Sequence, residues 1–145
     1  MKTHPRSLQA FFQPALVLLC GALLLTACPS APDLVTHNDI ASLKAAHLSF
    51  VDQFTEGAGK TWDDQKLTAA TAAMEKKFAD AEQYAATKKD AHRTKALANL
   101  HSQFKRDADM LAKKKAFFRP AFATDLKAEI SQNYDQALKG EENRS

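Results

Sequence analysis

Lys88-Lys89-Asp90-Ala91-His92-Arg93-Thr94-Lys95-Ala96-Leu97 lies midway along a long helix-forming segment that contains neither Gly nor Pro. Whether the chain runs straight through it or turns back sets the number of helices. Upstream, Leu67, Ala70, Thr71, Met74, Phe78, Ala81 and Ala85 recur at three- and four-residue steps. Downstream, Leu97, Leu100, Phe104, Ala108, Leu111 and Phe118 do the same. At 100° per residue the second stripe lies about 120° around from the first, so one straight helix would present two unrelated apolar faces. A tight turn at Thr87 to Asp90 removes the conflict, since either residue caps the helix that follows.

On the N-terminal side, Thr61-Trp62-Asp63-Asp64 opens the second helix with a capping hydroxyl and two acids in the first turn. Before it, Ile40, Leu43, His47, Phe50, Val51 and Phe54 share one face of a first helix. That helix begins near Asn38 or Asp39, with Thr36 or Asn38 as cap, and ends at Gly57 and Gly59. On the C-terminal side, Pro120 stops the third helix and fits the first turn of a fourth. Phe122, Leu126, Ile130, Tyr134 and Ala137 form its inner face, Gly140 closes it, and residues 141–145 read as a disordered tail. No segment alternates as a strand would. The expected fold is therefore all-α, an up-down antiparallel bundle of four helices over residues 38–140. Its central hairpin is long: helices two and three at about 26–28 residues project beyond outer helices of about 18.

Local chemistry is sparse. Gly57-Ala58-Gly59-Lys60-Thr61 resembles the end of a phosphate-binding loop, but Phe54 occupies the position of its first glycine and a helix, not a strand, precedes it. The segment reads as a Gly-rich turn. His47 lies on an apolar face with no second ligand at i+3 or i+4, and reads as a core histidine hydrogen-bonded inside the bundle. A haem bound between helices by His47 and Met74 or Met110 is the alternative. No metal set, cofactor motif or catalytic constellation stands out, so an enzyme is not expected.

Charge is the uneven feature. Residues 88–119 hold ten Lys and Arg against Asp90, Asp107 and Asp109. In the simplest arrangement this basic helix lies between acidic neighbours and is neutralised by them. Two clusters are candidates for more. Lys88, Lys89, Arg93 and Lys95 would surround the hairpin tip and suit anionic lipid headgroups. Lys113, Lys114, Lys115 and Phe117 at the other end would suit a protein partner, with Phe117 facing outward.

The N-terminal residues carry a second kind of information. Lys2 and Arg6 precede an apolar run from Ala15 to Leu25, which leads into Leu25-Thr26-Ala27-Cys28. That order is a secretory signal peptide whose apolar run, about eleven residues, is too short to span a bilayer. Its ending resembles the lipobox of bacterial lipoproteins. The resemblance covers residues 1–28 and implies cleavage between Ala27 and Cys28, with a diacylglycerol on the Cys28 thiol. Acylation of the new α-amino group is also implied. It further implies a bacterial envelope location, and Pro29, in place of a retention aspartate, favours the outer over the inner membrane. Residues 28–37, with Pro29 and Pro32, read as a flexible tether.

Loss of the leader takes Lys2 and Arg6 from 20 cations and leaves 18 against 17 acids, a balance unlike that of a nucleic-acid-binding domain. It also removes Cys20, and lipidation would occupy Cys28, so the 118-residue mature chain is left without a disulfide and relies on packing. The expected role is binding or scaffolding at the periplasmic side of a membrane, with an envelope protein or anionic lipid as partner. A periplasmic carrier of a small ligand or haem is the alternative.

Overall fold

The structure is a computed structural model that describes residues 33–144. Among the described residues the chain forms α1 (Leu34–Gln53), α2 (Asp64–Thr87), α3 (Ala91–Lys114) and α4 (Pro120–Glu142). Each helix packs on the next in the chain, and α4 closes back on α1. The turn that divides α2 from α3 is where the conflict of faces requires it. Lys88 closes α2, Lys89 takes a left-handed φ of 54°, and the Asp90 carboxylate accepts the N–H groups of His92 and Arg93. Successive helices are antiparallel. One end, called proximal here, gathers Asp33, the 88–90 turn and Glu141; the distal end gathers the 54–63 and 115–119 connections.

The core is apolar and graded along the bundle. Ala81 and Ala85 occupy its proximal half and let helices approach closely. Towards the distal end a chain of ring contacts runs from Phe104 to Phe50, Phe54, Trp62 and Phe117, with centroids 5.0–6.1 Å apart. The two distal connections are stapled to each other. Phe118 N–H donates to the Phe54 carbonyl, and Glu56 N–H donates to the Phe118 carbonyl, each at 2.8 Å.

α1 ends at Gln53, ahead of the expected Gly57 and Gly59, and four further boundaries differ from the sequence expectation. First, α1 starts at Leu34, because Asp33 caps it by accepting the Thr36 N–H and hydroxyl; residues 33–37 belong to the fold and not to a tether. Residues 28–32 lie outside the described residues. Second, α2 is capped by Asp63 and not Thr61, and starts at Asp64. Third, α3 stops at Lys114, and Phe118 reaches the core from the connection. Fourth, α4 runs through Gly140 to Glu142, and Glu141 is buried, so residues 141–144 are no disordered tail. The helices are 20, 24, 24 and 23 residues long. The central hairpin therefore does not project: the ends of all four helices meet at its tip.

Candidate functional site

At the proximal end the expected basic cluster is divided by burial. Arg93 is buried and is not a lipid-facing cation. Its Nε and Nη2 donate to Oε2 of Glu141 at 3.0 and 2.7 Å, and its Nη1 lies 3.0 Å from Oδ2 of Asp33. Arg93 thus ties α3 to the N-cap of α1 and the last turn of α4. Asp33 also accepts the Tyr84 hydroxyl at 3.1 Å. Burial raises the Asp33 carboxyl, but the bonds from Thr36 and Tyr84 and the Lys88 charge outweigh it and hold the group below the usual 3.8. Lys88 itself lies 4.7 Å over the Tyr84 ring and 3.8 Å from Asp33. Lys89 and Lys95 are exposed and make no ion pair among the described residues. The exposed apolar side chains Leu34 and Val35 stand beside Asp33, on the first turn of α1.

The distal cluster is also reshaped. Lys113 pairs with Asp109 one turn back on its own helix, and Lys115 lies 3.7 Å from Asp64. Phe117 does not face outward: it is half-buried, edge-on to Trp62 at 5.5 Å. Phe122, expected on the inner face of α4, is exposed and lies against the Phe118 ring at 5.5 Å, while Ala123 takes the inward position. Ala27 and Cys28 lie outside the described residues. Neutralisation of α3 by its neighbours is real but partial. His101 stacks on Phe78 at 4.4 Å, and its two ring nitrogens face Glu82 and Glu75 of α2 at 2.9 and 2.8 Å. Lys105 lies 3.7 Å from Glu75. Lys95, Arg106, Lys114 and Arg119 pair with no acid among the described residues.

Two motifs resolve into structural roles. His47 is fully buried; its Nε2 donates to Oδ2 of Asp107 on α3 at 3.1 Å. That leaves Nδ1 to face the Tyr134 hydroxyl on α4 at 3.5 Å. Burial, then the Asp107 charge, pushes the Tyr134 hydroxyl above its usual range. A haem iron at His47 would have to displace one of these contacts. In the Gly-rich segment, Lys60 Nζ donates to the carbonyls of Asp52, Thr55 and Gln53 at 2.8, 2.9 and 3.4 Å. It adds a charged donor to the carbonyls where α1 ends, a C-terminal cap delivered from the next loop. Gly59, with φ of 76°, supplies the reversal that aims it.

Sequence reasoning missed the seam between α3 and α4, the loosest of the four. Gln103 is buried there, accepts a bond from Asn133 Nδ2 at 3.1 Å, and donates to Glu129 at 3.4 Å. Amides in place of apolar residues hold these two helices apart, and a groove of about 470 Å³ opens along the proximal half of the seam. The missed signal was a polar stripe on α3, His92-Lys95-Asn99-Gln103-Arg106, running beside the apolar one.

Among the described residues no helix is long and apolar enough to cross a membrane, and no group of three or more His, Cys, Asp or Glu is placed to hold a metal ion. Fold and site together define a four-helix up-down bundle with an ion-paired proximal end. No protein-family model, curated protein or solved structure matches the chain.

Proposed function

We propose that this is a lipid-anchored protein of the bacterial cell envelope. Its helical domain binds or scaffolds a partner at the periplasmic side of a membrane, the outer membrane being favoured by Pro29. The observation that carries the reading is the run Leu25-Thr26-Ala27-Cys28 at the end of a basic and apolar leader. The fold adds a geometric consequence. Only four residues lie between Cys28 and Asp33, and the five extended steps from one to the other reach at most about 18 Å. The proximal end would therefore face the lipid, and it offers Leu34, Val35, Lys88 and Lys89 to the interface. Two or three acyl chains on Cys28 would make attachment persistent, where one gives only marginal binding. The reading is of a binding protein and not of an enzyme.

The test is Cys28→Ser expressed in a bacterial host, with the mature mass and the membrane fraction measured together. The native chain should carry the mass of a cleaved, acylated protein and sediment with membranes. The variant should lose the acyl mass and the lipid anchor while remaining folded by circular dichroism. A native chain of unmodified mass at Cys28 overturns the reading.

A further inference from the structure

We propose that the groove between α3 and α4 binds an extended acidic segment of a partner protein. Its walls contain no carboxylate. Lys95 and Arg106, both exposed and free of ion pairs among the described residues, stand at its two ends on α3. Eleven residues of helix separate them, about 16 Å, the length of roughly five residues of extended chain. Between the cations lie four carboxamides, Asn99 and Gln103 from α3 with Asn133 and Gln136 from α4. Gln103 and Asn133 are bonded to each other, which leaves Asn99 and Gln136 to present N–H donors and a carbonyl acceptor, the complement of a peptide group. Leu100, Ala96 and Ala137 give it a narrow apolar strip that suits small side chains.

The charges around the groove keep the cations available to a ligand. Glu129 borders the seam and is engaged by Gln103 at 3.4 Å, and Arg144 at the proximal mouth is committed to Glu141 and Asp90. His92 completes that mouth. Apart from this imidazole the walls carry no aromatic ring, so a nucleobase finds no stacking platform. What remains is a site with positive ends and an amide-lined middle, matched by acidic side chains about five residues apart on an extended backbone. The groove lies within the described fold and does not depend on the anchor.

The full-length lipidated protein in detergent, with fluorescence anisotropy of dye-labelled Glu-Ala-Ala-Ala-Ala-Glu and Lys-Ala-Ala-Ala-Ala-Lys at low salt, tests this. The acidic peptide should bind, weaken as salt rises, and outcompete the basic one. Lys95→Ala and Arg106→Ala should each weaken it about threefold to fivefold, as for exposed charge pairs. Lys113→Ala/Lys114→Ala, at the other end of the same helix, should leave it unchanged, and so should Cys28→Ser. Equal binding of the two peptides, or no acidic-peptide binding up to millimolar concentration, overturns the proposal. So does equal loss in the Lys113/Lys114 variant, which would make the effect one of net charge. Anionic vesicles that lose affinity with Lys95 and Arg106 while the peptide does not would assign the groove to lipid and overturn it as well.

Discussion

Asp107 and His47 show what a single buried pair asks of its surroundings. Both are buried, and each supplies the polar partner that makes the other's burial tolerable. Asp107→Ala leaves His47 Nε2 without an acceptor in the core and should lower unfolding free energy by about 3 kcal/mol. His47→Leu combined with Asp107→Leu removes both polar groups, and should cost clearly less than the sum of the single changes. Urea unfolding of the four proteins checks this, and strict additivity would show that the 3.1 Å contact carries no coupling. Arg93 makes a related point. In the sequence it is one more cation of a basic helix, whereas in the fold it is the buried link between three helix ends.

Among the elements, α3 is distinctive because both of its flanks carry a lysine in left-handed backbone, Lys89 at φ 54° and Lys115 at φ 48°. For an L-residue with a Cβ this conformation costs roughly 1–2 kcal/mol, whereas glycine adopts it freely. Lys89→Gly and Lys115→Gly should therefore each stabilise the bundle, by about 0.5–1 kcal/mol once the extra freedom of glycine in the unfolded chain is subtracted. The lost contact of Lys115 with Asp64 is exposed and offsets little of that gain. A rise in the urea midpoint at constant m-value is the expected reading, and a fall would mean that the lysine side chains contribute more than their backbone strain takes away. The groove belongs to this level too, since it arises from the amide and cationic side chains that line the seam of two whole helices.

For the molecule as a whole, the proximal end joins the first, middle and last parts of the chain through carboxylates whose ionised form is favoured. Asp33 lies below 3.8 as described, and so does Asp90, through the Arg93 N–H, despite its partial burial, and through the Arg144 charge. Arg93 is raised by its bonds to Glu141 and stays charged throughout. Both aspartates bind protons less readily folded than unfolded. Their contribution is complete above the unfolded value near 3.8 and is lost as pH falls through the lower native values. Unfolding midpoints should thus fall as pH drops below about 4, and Asp33→Asn should flatten that dependence. An unchanged acid slope in the variant would remove Asp33 from the account.

Periodicity in the sequence was enough to specify four amphipathic helices, the break at residues 87–90, the role of Pro120 and most of each inward face, although on α4 Ala123 and not Phe122 is the buried residue of the first turn. Apolar spacing at 3.6 residues per turn is a local property, and each helix carries it within its own residues. Local reading failed where a residue's environment is supplied by distant chain. Asp33 caps a helix held in place by Tyr84 and Arg93, and Glu141 extends α4 past a glycine because Arg93 needs its charge. Phe117 turns inward because Trp62 is there to receive it, and the groove depends on a seam between helices whose facing residues lie 26 to 48 positions apart. The leader-like run and the cysteine that ends it can be read without any fold, because a signal of that class would act as a linear peptide. Which cations are buried, paired or left open to a ligand was decided by packing, since burial and ion pairing depend on distances in space that spacing along the chain does not contain.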